Sequence, residues 1–549
     1  MVGGKRPRPV VLCVLQGFGE SADPDRNAIL QAATPRLDEL RATCPSTTLR
    51  ASGSAVGLAD GQRGNGYVGH RTIGAGRAAA IEQPRIDEAL RKRELGRNPV
   101  VAQAVRIAAD RRSRIHLLGL VSQCTTHASA AHLHALIDLA DFHEVPVVVH
   151  AVLDGRDMPR RSAMPLLERL EDFLIDRGVI GTVSGRMYSV DAGDDWDRVY
   201  PLFQAIVRDP VLGGVAPHAD TTFDAVSLAY GQGWDDATMP PTRIGDYTGL
   251  RGDFLCDFAA AKPVWEWTGE EVGLAFHHRP DGLWAICALL TRRGLPADVA
   301  SDLLMDRDKP VLAFDEHCFA SLTEYDPALR LPVAFERPLV EASLGACLAE
   351  AGLSQLRLGE SLAQQHVTTF FSGGVDEAMP GETRRIVPSA ALLDLADPVP
   401  RVRTGAVAKA AVTEVEGGRY DVILVSFAGA AVMAKTDSLE ATVGAVEEVD
   451  QAVGALSAAV RAAGGALVVT SDHGRCERVG VDPRDGSAGA QEHPVPFIVD
   501  GPLGTDVELA PGGDLADVAP TVLDLLGLEP PGVMAGRSLL RARGSESDP

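Results

Sequence analysis

Short apolar runs alternate with amphipathic helical segments along most of this 549-residue chain, and that alternation limits the fold more than any other feature. "PVVLCVLQGFG" precedes "TPRLDELRATC", where Thr34 is expected to cap a helix that opens at Pro35 and turns Leu37 and Leu40 to one side. "RIHLLGLVS" precedes "AAHLHALIDLAD", "VPVVVHAVLDG" precedes "MPLLERLEDFLI", and "GVIGTVSGR" precedes "WDRVYPLFQAIV". Further strand-like runs are "HVTTFFSGG", "YDVILVSFAG", "GALVVTSDHG" and "HPVPFIVDG". Between and after them lie the long helical "SLEATVGAVEEVDQAVGALSAAVRAAGG" and the closing "LADVAPTVLDLLG". Repeated βα units imply an α/β class with largely parallel sheets. The first strand then delivers residues 16 to 20 to its carboxyl end, where open α/β sheets collect their ligands.

Charge and composition exclude several classes. A net charge of −23 opposes binding to a polyanion, since a nucleic-acid partner needs a basic face, although a few arginines can still hold a small anion locally. Eight cysteines, none in a C-x-x-C pair, suit small core residues better than a disulfide framework or a structural zinc site. No apolar run is long enough to span a bilayer, and "VVLCVL" is too short for a signal-peptide core, so a cytoplasmic location is expected.

Gly64-Asn65-Gly66-Tyr67-Val68-Gly69 spells G-x-G-x-x-G, which in a dinucleotide site must follow a buried strand and open a helix. Upstream lies the polar, glycine-rich "SGSAVGLADGQR", and downstream Gly74 and Gly76 disfavour a helix start. The segment is expected to be a loop of another kind.

The motifs "ASGSAVGLADGQRGNGYVGHRTIGAGR", "LDGRDMP", "SGRMYSVD", "LTEYDPAL", "HVTTFFSGG", "TSDHG" and "HPVPFIV" stand in the order found in another family. They resemble the cofactor-independent phosphoglycerate mutases of the alkaline phosphatase superfamily, from about residue 10 to about residue 540. The resemblance implies two α/β domains. A discontinuous phosphatase-like domain would span 1–78 and 334–549, and an inserted substrate-binding domain 82–330. It also implies two Mn²⁺ or other divalent ions, a serine nucleophile and a monomer.

Carried over residue by residue, that chemistry breaks down. The family's metal-binding aspartate in L-D-G-W-G falls at Gln16, and the nucleophile in G-N-S-E-V-G-H falls at Gly66. The aspartate and histidine of N-P-D-M-V-G-H fall at Ala431 and Lys435, and the last histidine falls at Ala490, with His493 nearby. Asp472 and His473 alone remain, and two adjacent side chains cannot hold two ions that each need about three protein ligands. No metal cofactor is therefore expected. Without a hydroxyl at Gly66 the family's phosphoserine cannot form. Lys435 has two readings: a cation standing in for a metal, or a solvent-facing lysine in a relaxed loop.

The inserted segment retains more. By resemblance His127, Arg156, Asp157, Arg186 and Arg279 match substrate contacts, while cations of the family are missing at Ala192, Gly282 and Ala363. The arginines suit a small phosphorylated or carboxylated anion, unless they pair with neighbours such as Asp157 and Asp281. Cys124 beside His127 could be a thiolate nucleophile but reads better as a plain loop cysteine, His70 could be a general base but reads better as structural, and His127, His132, His134 and His143 invite a metal reading that lacks carboxylate or cysteine partners at set spacing. Three functions stay open. They are a non-mutase that binds a metabolite in a regulatory or scaffolding role, a repurposed metal-independent enzyme using Lys435, His473 or His127, and a mutase with relocated ligands.

Overall fold

The computed structural model describes residues 6–543 apart from 194, 208–215, 248, 251–270, 298, 300–313, 315–317, 390–401, 481–492 and 504–506. Two compact units are present: Met1–Ile81 with Pro338–Pro549, and Glu82–Arg337.

In the discontinuous unit, the early chain gives β1 (Val10–Leu15) and β2 (Ser46–Leu49). The inserted unit begins with β3 (Ile115–Val121), β4 (Val147–Leu153), β5 (Gly178–Gly185) and β6 (His218–Ala219). It continues with β7 (Thr242–Ile244), β8 (Val272–Ala275), β9 (Phe319–Thr323) and β10 (Val333–Phe335). The discontinuous unit resumes with β11 (Gln355–Glu360), β12 (Glu382–Val387), β13 (Val422–Phe427), β14 (Ala466–Thr470) and β15 (Val495–Asp500).

These strands form a seven-stranded sheet in the order β12-β11-β13-β1-β14-β15-β2 and an eight-stranded sheet in the order β10-β9-β8-β3-β4-β5-β7-β6. Both are mostly parallel; β15 runs antiparallel to β14 and β2, and β7 antiparallel to β5. Strand β1 is central and buried on both faces. Its Val11, Cys13 and Leu15 enter one core while Val10, Leu12 and Val14 enter the other, the period of two that a pleated strand imposes. Residues following β1, β13 and β14 therefore meet at one sheet edge, and those following β3, β4, β5 and β8 meet at another.

Three local expectations are corrected. The G-x-G-x-x-G segment opens a helix, Gly66–Ala75, because the Asn65 side chain accepts from the amides of Tyr67 and Val68 and Gly76 closes the end with φ +61°. Gly74 is required there by packing, since a Cβ would fall on the Phe371 carbonyl oxygen. "HVTTFFSGG" is helical at His366–Phe370, a single π-turn packed on that helix, and the strand of this region is the preceding β11. Thr34 makes no side-chain cap. Asp450 caps that helix instead, accepting from the amides of Arg36 at 3.1 Å and Leu37 at 2.8 Å.

Candidate functional site

At the carboxyl edge of the seven-stranded sheet, Asp472 is fully buried just after β14. Its Oδ1 lies 2.8 Å from His473 Nδ1 and accepts from the Gly17 amide at 3.1 Å. Its Oδ2 lies 3.2 Å from His70 Nδ1. Burial alone would raise the carboxyl, but the neighbouring His473 and His70 outweigh it and hold Asp472 well below the usual carboxylate range. His70 is itself fully buried, with Nδ1 3.0 Å from the Gly66 carbonyl and Nε2 3.2 Å from Ser426 Oγ. Ser426 in turn accepts from the Gln16 amide at 2.8 Å. Both His70 ring nitrogens are thus spent inside the fold, which leaves neither to act as a general base.

The neighbouring positions are filled by small or inert groups. A Cβ built on Gly66 would stand 2.8 Å from His366 Nε2 and 3.4 Å from Asp472 Oδ2, so an imidazole takes the space that a side chain there would need. His366 and His70 stack at 4.9 Å with an interplanar angle of 14°. Sequence reasoning passed over His366 because "HVTTFFSGG" reads as a strand; only its tertiary place beside Gly66 reveals it. Ala431 packs its methyl against Gly17, whose φ of +82° brings the backbone close, and Lys435 is half-buried at the end of the short helix Gly429–Ala434. The relaxed-loop picture of Lys435 is thus replaced by a helix terminus. His493 Nδ1 lies 3.3 Å from Glu477 Oε1, and Ala490 lies outside the described residues.

A two-ion centre needs converging donors. Among the described residues no group of three or more His, Cys, Asp or Glu side chains could hold a metal ion, and Asp472 and His473 spend their facing atoms on each other. With an amide at Gln16, a methyl at Ala431 and an ammonium at Lys435, these residues do not fit such a centre.

The carboxyl edge of the eight-stranded sheet gathers the other candidates. Arg186 follows β5 and is fully buried. Its Nη1 donates to Asp154 Oδ1 at 2.7 Å and to Asp157 Oδ2 at 3.0 Å, its Nε is 2.9 Å from Asp191 Oδ2, and its Nη2 donates to His127 Nε2 at 3.0 Å. Burial would depress this guanidinium, yet Asp191, Asp154 and Asp157 prevail and raise it well above its ordinary value. Arg279 grips Asp281 Oδ2 through Nε at 2.9 Å and Nη2 at 2.6 Å. Arg156 is depressed by burial and has Nη2 3.7 Å from Met187 Sδ. The pairs of Arg186 with Asp157 and of Arg279 with Asp281 both form.

Two minor alternatives gain no support here. Burial and the charge of Asp157 push the Cys124 thiol up to about 11, and its Sγ lies 3.1 Å from Thr126 Oγ1, so no thiolate is available near neutrality. The histidines read as a metal cluster disperse. His132 takes Asp87 at 2.7 Å, His134 stacks on Phe173 at 4.3 Å, and His143 packs edge-on against Phe142 at 5.2 Å.

Comparison with known proteins places this geometry. The metalloenzyme superfamily model matches residues 8–530. The chain is 35% identical over 548 residues to the 2,3-bisphosphoglycerate-independent phosphoglycerate mutase of Acaryochloris marina, covering 98% of this chain and 96% of that one. It is 37% identical over 539 residues to the enzyme of that name from Symbiobacterium thermophilum, covering 97% and 98%. A crystal structure of Leishmania mexicana phosphoglycerate mutase at low cobalt concentration superposes with a TM-score of 0.84 at 25% identity over 98% of both chains. Among the described residues no helix is long and apolar enough to cross a membrane. With near-complete coverage by sequence and by fold, the chain belongs to the cofactor-independent phosphoglycerate mutase family of the metalloenzyme superfamily, with its two-domain alkaline-phosphatase-like α/β fold.

Proposed function

We propose that this chain does not interconvert 3- and 2-phosphoglycerate, and that it instead binds a small phosphorylated or carboxylated metabolite in a regulatory or scaffolding role, as a cytoplasmic monomer. The observation that carries this reading is the state of the nucleophile position: Gly66 offers no hydroxyl, and His366 Nε2 lies 2.8 Å from where its Cβ would be. In-line phosphoryl transfer concentrates negative charge that metals or cations must stabilise. The described edge of the seven-stranded sheet offers Asp472 and His473 to such a metal, with Gln16, Ala431 and Lys435 beside them.

A second reading is a metal-independent group-transfer or lyase step. It is favoured by the contact of His473 Nδ1 with Asp472 Oδ1 at 2.8 Å, which fixes one ring nitrogen and leaves Nε2 to act as a base. Both readings face the same experiment, in which the purified chain is loaded with Mn²⁺ or Co²⁺, dialysed, analysed for metal and assayed for interconversion of 3- and 2-phosphoglycerate. The expected result is no retained ion and no turnover. About two ions per chain with turnover would sink both readings and restore the mutase.

A further inference from the structure

Three arginines are among the largest fully buried side chains of the molecule: Arg71, Arg186 and Arg357. A guanidinium cannot shed its proton to escape burial, so each of these charges has to be met by a partner. Arg186 has the three carboxylates described above. Arg357, on β11, has Gln355 Oε1 2.7 Å from Nη2, Glu382 Oε2 3.9 Å from Nε and the Phe371 ring at 4.4 Å. Arg71 has no such counter-charge among the described residues. Its Nη2 donates to the Pro338 carbonyl oxygen and its Cζ stands 5.9 Å from the centre of the Tyr67 ring, while Nε and Nη1 have no hydrogen-bond partner. One carbonyl bond and one aromatic face recover only part of the hydration that a buried ion gives up.

The surroundings of this charge are apolar and lie wholly within the discontinuous unit. On the helix Gly66–Ala75, Gly66, Gly69 and His70 turn toward Asp472. Arg71 shares a different side with Tyr67, Gly74 and Ala75, its neighbours at three and four residues. That side meets Phe370, 4.7 Å from Tyr67, then the Phe371 carbonyl over Gly74, and Val340 packed with Ala75. Ser372 stands between Phe371 and Gly373, whose carbonyl takes the Val340 amide at 2.9 Å, and its fully buried Oγ is also without a partner. The ligand that fits must be small, because Arg71 is only 1% exposed. It must accept and need not donate, since Nε and Nη1 offer N–H groups alone. It must carry one negative charge, because a dianion would reverse the buried charge instead of cancelling it. We infer that Arg71 holds a buried monatomic anion of the halide class, such as chloride, where the helix Gly66–Ala75 meets the chain at Pro338. This site is independent of the non-mutase reading and stands whether or not the chain turns over phosphoglycerate.

The test is thermal unfolding of the full chain while sodium chloride replaces sodium methanesulfonate at constant ionic strength, so that general screening does not change. The wild-type Tm should rise saturably, by about 3 °C, and sodium bromide should act as chloride does. Arg71→Met keeps an apolar stem and removes the lone charge, so its Tm should not respond to either halide. A wild-type Tm indifferent to chloride, or an equal response in Arg71→Met, overturns the inference. Should that variant fail to fold, crystals of the wild-type chain grown in sodium bromide decide the matter. An anomalous-scattering peak in contact with Arg71 Nε or Nη1 is the expected result, and a water molecule or no density there overturns the inference.

Discussion

Returning a serine to position 66 tests how far the old nucleophile site has closed. Gly66 lies in the first turn of the helix Gly66–Ala75, where serine has a helix propensity about 0.5 kcal/mol better than glycine. Against this, the new Cβ would stand 2.8 Å from His366 Nε2 and 3.0 Å from its Cε1, well inside ordinary van der Waals contact. The imidazole must move, and it is held by stacking on His70 at 4.9 Å and by the Phe370 ring at 5.5 Å. Overpacking of this kind costs about 1–3 kcal/mol, so it outweighs the propensity gain and Gly66→Ser should lose about 1–2 kcal/mol. Combining it with His366→Ala removes the obstruction, and a double-mutant cycle by urea denaturation should show a favourable coupling of about 1 kcal/mol or more. A stabilised Gly66→Ser, or strict additivity with His366→Ala, would refute the claim that His366 occupies this space.

Two other outcomes follow from the inserted unit. Arg186→Met leaves Asp154, Asp157 and Asp191 without their shared counter-charge and should destabilise the chain by about 3–5 kcal/mol in urea denaturation; a loss below about 1 kcal/mol would show that these ion pairs are incidental. The second outcome concerns His116 and His150, fully buried with His116 Nδ1 2.9 Å from His150 Nε2 and His150 Nδ1 3.0 Å from Thr182 Oγ1. Glu271, Arg114 and Tyr247 pack around them. Burial lowers both imidazoles, His150 well below its ordinary value, so the folded chain binds fewer protons than the unfolded one. Their contribution is complete above the unfolded value of about 6.5 and is lost as pH falls below it toward the depressed folded values. The urea midpoint should drop between pH of about 7.5 and about 5.5, with a shallower slope in His150→Leu; equal slopes would remove this pair as the cause.

The sequence read well where a structure-forming signal was local. The six-residue apolar run of β1 is a fully buried central strand, and most of the alternating runs became the strands and helices expected of them. It read poorly where a distant segment supplied the cause. Asp450 caps a helix from 413 residues away, a relation no window around Thr34 contains. The β-branched "HVTT" run turns helical because it packs on the helix Gly66–Ala75, whose Gly74 admits the Phe371 carbonyl. At the candidate site, the replacements at Gln16, Gly66, Ala431 and Lys435 were visible directly. The imidazole filling the space beside Gly66 and the carboxylates enclosing Arg186 were not, since both depend on tertiary neighbours.

Strand β1 is made early in synthesis, yet both strands that flank it, β13 and β14, come from the far end of the chain, with Val10 beside Val422 and Ala466. A ribosome adding about 5–20 residues per second needs roughly twenty seconds to a minute to travel from Ile81 to β13. During that interval the apolar β1 has no native neighbour on either edge, while the inserted unit, contiguous in sequence from Glu82 to Arg337, emerges whole. Connectivity thereby lets the insert complete its own contacts while β1 waits, and the sheet that bears Asp472 can close only once β13 and β14 have been made.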